Sequence, residues 1–102
     1  MMKISNNSLL SNITEIWSCG ECLFRVQTRQ GKVFRVTVAQ NVYSGDSFKF
    51  RAFFEEQVFQ LGHQLWGAVA ITAPGADSVR ECLSNALETI NGIQENLRET
   101  SA

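Results

Sequence analysis

Proline, histidine and long apolar runs are scarce in this sequence of 102 residues, which has one proline and one histidine. Low-complexity segments are also missing, and seven phenylalanines and two tryptophans supply material for a core. We therefore expect a folded chain. No stretch approaches the roughly 20 apolar residues of a membrane-spanning helix. Residues 1–13 lack the apolar centre of a secretion signal. These absences predict a cytoplasmic protein without a membrane partner.

Cysteine is present in an odd number, three, which disfavours the disulfide framework of a small secreted domain. Cys19 and Cys22 form a C-x-x-C pair, a spacing that can hold Zn²⁺ or form a redox couple. His63 and Cys82 are the candidates for completing a Cys3His site. However, Cys22 and Cys82 fall on apolar faces of their predicted elements, as buried structural cysteines do. We expect no metal or other cofactor, with a zinc or redox protein as an alternative.

Groups suited to catalysis are few and scattered. His63 lies beside Gly62 in a predicted turn, without a neighbouring nucleophile. Glu55 and Glu56 are adjacent in a predicted strand, so their carboxylates should point to opposite faces. Glycine-rich phosphate loops are absent. We therefore expect a protein that is not an enzyme.

The last quarter of the chain has an apolar stripe at helical spacing. Ser78 and Glu81 fit a capping box at its start, and Pro74-Gly75 breaks the chain just before. This pattern predicts an amphipathic helix over about residues 78–97. The stripe consists of Val79, Cys82, Leu83, Ala86, Ile90, Ile93 and Leu97.

A β-hairpin is predicted where two alternating segments, 22–27 and 33–38, flank a glycine-containing turn. A two-residue loop, Gln30-Gly31, would place apolar and charged residues on the same face. A three-residue loop with Gly31 in the left-handed conformation places the apolar residues of both strands on one face. We therefore predict the three-residue loop.

This register makes Arg25 and Arg35 direct cross-strand neighbours on the polar face, where like charges destabilise the pair. Residues 47–54 continue the alternation as a third strand, with Phe53 and the charged residues on the polar face. A helix over 50–61 is the rival interpretation of that region. Residues 65–72 are apolar on both faces, which is typical of a strand covered on two sides.

These elements predict an α+β fold, a four-stranded antiparallel β-meander packed on one C-terminal amphipathic helix. We expect one domain over residues 1–102. Residues 1–12 form an N-terminal segment without a clear pattern, except that a strand could begin at Ile13. Residues 98–102 are expected to be a frayed tail.

Charge is divided unevenly between the two halves of the chain. Residues 1–51 carry seven basic and three acidic side chains, and residues 52–102 carry two basic and seven acidic ones. The acidic half is largely the polar face of the predicted helix. The basic half supplies a face of the predicted sheet, and with Phe53 it forms the predicted partner-binding set: Arg25, Arg29, Lys32, Arg35, Lys49, Arg51 and Phe53.

Arginine beside exposed aromatic and aliphatic residues is typical of a protein interface. We therefore expect a non-enzymatic protein-binding module that docks on an acidic protein surface. Its size suits a stoichiometric inhibitor or an adaptor, of the kind that phages and mobile elements encode. Nucleic-acid binding through the same face is the alternative. A homodimer, with the acidic helix of one copy on the basic sheet of another, would also match the charge division.

Overall fold

Six strands lie side by side in one antiparallel sheet. A computed structural model of the chain describes residues 2–4, 10–41 and 48–100, with 94–100 described in backbone only. Its elements are β1 (Met2–Ile4), β2 (Ile13–Ser18), β3 (Leu23–Thr28), β4 (Val33–Gln40), β5 (Phe50–Gln60), β6 (His63–Ala68) and α1 (Val79–Thr100). Each strand pairs with its neighbour in sequence, so the sheet is a meander. The α+β fold with a C-terminal helix is confirmed, but the prediction of four strands was wrong.

The three-residue loop between β3 and β4 is confirmed. Gly31 has a φ of 87°, and its N–H donates to the carbonyl of Thr28 at 3.0 Å. The register that follows pairs Phe24 with Val36 and Arg25 with Arg35. Apolar side chains of both strands therefore share one face, and the two arginines share the other.

The strand suggested from Ile13 is confirmed as β2, although β2 lacks regular alternation, whereas β1 was missed. In β2 the buried residues are Ile13 and Ile16, three positions apart, and the register with β3 shifts between Ile13 and Glu15. Such a β-bulge inserts one residue and breaks the period of two. The strand β1 is only three residues long, and residues 5–9, within the N-terminal segment that had no pattern, lie outside the described part.

The strand interpretation of residues 50–54 is confirmed, and the rival helix over 50–61 was wrong. The strand β5 extends to Gln60, although the start predicted at Ser47 lies outside the described residues. A two-residue turn, Leu61-Gly62, with φ of 52° and 78°, returns the chain into β6. Two positive φ angles are the signature of a type I′ turn, which suits the twist of a hairpin.

The fourth predicted strand, residues 65–72, started two residues too late and ended four residues too late, and its expected cover on two sides was wrong. The strand β6 starts at His63 and ends at Ala68, and it forms an edge of the sheet. Leu65 is exposed rather than covered on two sides. The apolar residues after β6, including Val69 and Ile71, pack against the core instead of continuing the strand.

The helix α1 closes one face of the sheet. Ser78 caps it by accepting a hydrogen bond from the N–H of Glu81 at 3.1 Å, as the capping pattern predicted. Cys82, Ala86 and Ile90 on its stripe are fully buried against the sheet, whereas the side chain of Leu97 lies outside the described part. No helix of the described residues is long and apolar enough to cross a membrane. The core between helix and sheet consists mainly of Ile13, Ile16, Phe24, Val26, Phe34, Val36, Val38, Phe54, Cys82, Ala86, Leu87 and Ile90.

Candidate functional site

The face of the sheet away from α1, called here the outer face, is not covered by any described helix or strand. Residues that alternate with the core positions lie on it, because side chains along a strand point to opposite faces. The segment between β6 and α1 packs against the core and therefore leaves this face open. The members that matter for function are Lys3, Glu15, Trp17, Leu23, Arg25, Gln27, Arg35, Arg51, Phe53, Glu55 and Trp66.

Arg35 lies at the centre of a compact ionic and aromatic cluster. Its Nε donates to Oε1 of Glu55 at 2.8 Å, and its Nη2 lies 2.8 Å from the same oxygen. Its guanidinium carbon lies 4.6 Å from the centre of the Trp66 ring, within the range of a cation–π contact. The cross-strand repulsion predicted between Arg25 and Arg35 is therefore reduced within the chain, because β5 supplies a carboxylate. The prediction of an unneutralised arginine pair was wrong for Arg35.

A second, looser cluster surrounds Trp17 on β2. The Trp17 Nε1–H donates to Oε2 of Glu15 at 3.3 Å, and the Lys3 ammonium lies 5.9 Å from the ring centre. Lys3 and Glu15 also form an ion pair at 3.8 Å. Both lysine and glutamate are substantially exposed, so this cluster orients the indole without burying it.

Arg25 lies between these two clusters and differs from both. It pairs across the sheet with Trp17 on one side and with Arg35 on the other, and its side chain is half-buried. It makes no ion pair with a described residue. Its direct neighbour Arg35 carries the same charge, and like charges opposite one another destabilise a strand pair, so an anion beside Arg25 would relieve that repulsion. Arg25 is therefore the group of the outer face best prepared to accept an anionic partner.

Three basic residues of the predicted partner-binding set, Arg29, Lys32 and Lys49, do not lie beside Arg25. The Arg29 Nε donates to the carbonyl of Ser11 at 2.8 Å and so ties the β3–β4 turn to the N-terminal segment. Lys32 reaches the other face of the sheet, where its Nζ lies 3.7 Å from Oε1 of Glu56. Lys49 is exposed just before β5.

Arg51 and Phe53 do lie on the outer face. They stand two residues apart on β5, and Phe53 is 52% exposed. A hollow of about 370 Å³ opens beside them, between β5 and the segment that follows β6. It gives the outer face a concave margin with an aromatic wall. Its lining comprises Arg51, Ala52, Phe53, Phe54, Glu55, Ala68, Val69, Ile71, Thr72 and Ala73.

The candidate metal ligands are dispersed. Cys19 is exposed, Cys22 is half-buried next to the core, and Cys82 is fully buried on α1. His63 is exposed at the start of β6. Within the described ranges, no three His, Cys, Asp or Glu side chains come close enough to hold a metal ion. The C-x-x-C spacing is therefore not joined by His63 or Cys82 in this fold.

One apolar surface was missed by sequence reasoning. It lies at the turn end of the β5–β6 hairpin, where Phe59 is 73% and Leu61 is 94% exposed. Val58 and Leu65 on the same hairpin are also exposed. The available signal was charge: between Glu56 and Asp77 the sequence has no Asp, Glu, Lys or Arg.

Models of protein families, curated protein sequences and solved structures all fail to match this chain. No function can therefore be transferred from a relative. Among the residues that the structure describes, the outer face and the exposed hairpin end are the surfaces from which a function can be proposed.

Proposed function

We propose that this chain is a non-enzymatic protein-binding module that docks on an acidic protein surface through its outer face. The observation that carries the proposal is Arg25, a half-buried arginine without an ion pair among the described residues, at the centre of an open sheet. A carboxylate from a partner would pair with its guanidinium and offset the repulsion from Arg35. Charge-assisted hydrogen bonds of this kind are about twice as strong as neutral ones.

The surroundings of Arg25 have the composition of a binding hot spot. Trp17 stands next to it across the strand, and Leu23 and Phe53 lie on the same face. Tryptophan and arginine are the residue types most enriched among the side chains that dominate binding energy. The cluster around Arg35 adds a rigid neighbour, because an arginine held by Glu55 and Trp66 loses little freedom on binding.

Two features favour a protein over a nucleic acid as the partner. Glu15 and Glu55 stand on the outer face among the cations; a phosphate backbone offers only negative charge to them, whereas a protein surface can place hydrogen-bond donors opposite these carboxylates and carboxylates opposite Arg25. The indoles of Trp17 and Trp66 already have Lys3 and Arg35 over them, which limits their use for stacking on bases. Mixed charge around an arginine and aromatic centre is typical of protein interfaces.

A module of this size is suited to act by occupying a surface, as a stoichiometric inhibitor or an adaptor. A standard interface buries about 800 Å² on each partner. One face of a six-stranded sheet is large enough to supply that area, and it leaves α1 and the core undisturbed. The partner is then held at a ratio of one chain per docking surface.

The test is affinity capture with the Arg25→Glu variant, followed by titration of each captured protein. We expect wild-type chain to retain an acidic protein with a stoichiometry of one, and Arg25→Glu to weaken it at least about 30-fold, as loss of a buried charge contact does. Arg80→Glu is the matched control, since it makes the same charge change on the exposed side of α1.

Equal capture by Arg25→Glu and Arg80→Glu would contradict docking through the outer face. The nucleic-acid alternative is separated by treating the capture with nuclease and by titrating salt. Retention that is abolished by nuclease, and whose affinity falls steeply with salt, would replace the protein partner with a nucleic acid. Retention that survives nuclease and depends weakly on salt supports the proposal.

A further inference from the structure

The strand β6 is an unprotected edge of the sheet. Its sequence, His63–Ala68, contains no proline, lysine or other charged residue, and no described strand pairs with its outer side. Natural edge strands usually carry such residues because an open row of backbone donors and acceptors recruits another strand. The opposite edge, β1, is only three residues long and contains Lys3, so it is protected in two of the usual ways.

The backbone groups that remain free on β6 can be assigned from its pairing with β5. The two-residue turn makes Gln60 and His63 a hydrogen-bonded pair, and such pairs recur at every second residue. The N–H of Val69 donates to the carbonyl of Phe54 at 3.1 Å, which continues the same alternation. Odd-numbered residues therefore face β5. The outward-facing groups belong to Gln64, Trp66 and Ala68.

The side chains of β6 are complementary to those of a second β6 in the antiparallel orientation. With Trp66 opposite its own copy, Leu65 lies opposite Gly67 and Gln64 lies opposite Ala68. On either side of the Trp66 pair, a larger residue thus faces a small one. An added Cβ on Gly67 would meet nothing within 4 Å, so there is open space beside it for the exposed Leu65 of a second copy. This register also pairs all outward-facing residues of the strand.

Charge favours a second copy over a charged partner at this edge. Across a two-fold axis each residue approaches its own kind, so any charge would meet the same charge. The chain carries none between Glu56 and Asp77, and His63 is the only titratable side chain on the strand. A surface for an acidic or basic peptide would instead present the opposite charge, as the outer face does.

We propose that two copies of this chain pair through β6 in the antiparallel orientation, centred on Trp66, and form a continuous twelve-stranded sheet. The two helices then lie on one side, and the two outer faces join on the other with their Trp66 side chains adjacent. The inference is independent of the proposed function, although pairing would double the docking surface. It also covers Leu65, part of the exposed hairpin.

Sedimentation over a concentration series tests this pairing. We expect wild-type chain to reach twice its monomer mass of 11.4 kDa. Gln64→Pro removes an outward-facing N–H without touching the bonds to β5, and it should raise the dimer dissociation constant at least about tenfold. Gln64→Ala, which keeps the backbone N–H, is the matched control and should dimerise like the wild type.

Amide hydrogen exchange on the wild-type chain gives a second test that requires no variant. Protection of the Gln64, Trp66 and Ala68 amides should rise with protein concentration, whereas Leu65 and Gly67 should be protected at every concentration. A monomer mass throughout the series, or an undiminished dimer with folded Gln64→Pro, would overturn the proposal. Edge amides that become protected only when another protein is added would overturn it as well.

Discussion

The two faces of this sheet are built from the same strands, yet they do different work. On the face toward α1, alternate positions hold Val, Ile and Phe that are buried, and contact there is non-directional. On the outer face, the intervening positions hold Arg, Glu and Trp that are half-exposed and meet in directional contacts. Stability is thus concentrated on one face, whereas no described helix or strand covers the other. The adjacent pair Phe53 and Phe54 shows the difference within two residues.

The largest expected effect comes from Phe54, which is 4% exposed in the core, compared with Phe53, which is 52% exposed. Phe54→Ala should lower the free energy of unfolding by about 3–5 kcal/mol, because it leaves a cavity under α1. Phe53→Ala should lower it by about 1–2 kcal/mol, because only about half of its surface is buried and no closed cavity forms there. Urea denaturation of the two variants measures both. Similar losses of unfolding free energy in the two variants would mean that Phe53 on the outer face is packed as tightly as Phe54 in the core.

A smaller effect is expected from a polar contact on the closed side. Asn12 is fully buried, its N–H donates to Oδ1 of Asn91 at 2.9 Å, and its Nδ2 donates to the carbonyl of Asn91 at 3.2 Å. Asn91→Ala should cost about 1–3 kcal/mol, because a buried N–H loses its acceptor. Asn85→Ala, in a more exposed contact on the same helix, is the control. Equal losses of unfolding free energy in the two variants would contradict a larger contribution from the buried contact of Asn12.

Alkaline pH probes the closed side through Cys82. Burial raises the pKa of the Cys82 thiol above its ordinary value of 9.0. The unfolded chain therefore loses this proton at lower pH than the folded chain does. The stabilisation is complete below pH 9 and is lost as pH rises further, with a slope of at most about 1.4 kcal/mol per pH unit. The difference in unfolding free energy between wild type and Cys82→Ala should therefore shrink as pH rises above 9. A difference that is independent of pH would contradict this effect of Cys82.

The face of the sheet toward α1 could be predicted from sequence because burial leaves a periodic pattern. The three-residue turn at Gly31, the register of Arg25 with Arg35, and the capped helix all follow from keeping apolar residues on one side. The bulge after Ile13 removed that periodicity from β2, so the sequence indicated only where this strand could begin. Local pattern thus predicts an element only while its register is regular.

The outer face could be predicted in part. Alternation placed Arg25, Arg35 and Phe53 together correctly, since it fixes which side a residue faces. It could not show that Glu55 reaches Arg35. That contact depends on the register between β4 and β5, which sequence alternation within each strand does not determine. The exposure of Leu65 was also missed, because an apolar strand has the same sequence pattern whether a helix covers it or not.

The smallest effect separates the two faces most sharply. Glu55 and Glu56 are neighbours, but Glu55 meets Arg35 at 2.8 Å on the outer face and Glu56 meets Lys32 at 3.7 Å on the other. Glu55→Gln should cost about 0.5–1 kcal/mol and Glu56→Gln less than about 0.5, since partly exposed pairs are screened by solvent. Urea denaturation at low and high salt measures both, and the difference should shrink as salt rises.

Glu55→Gln has a second consequence that Glu56→Gln lacks. With its carboxylate gone, Arg35 joins Arg25 as an unneutralised cation in the same row of the outer face. Binding of an acidic partner should then become tighter by about 0.5–1 kcal/mol while the fold becomes weaker by a similar amount. Titration of the captured partner measures the change in binding free energy, and urea denaturation measures the opposite change in the free energy of unfolding. If Glu55→Gln weakened both, the carboxylate would be contacting the partner itself, and Arg35 rather than Arg25 would be the centre of the docking site.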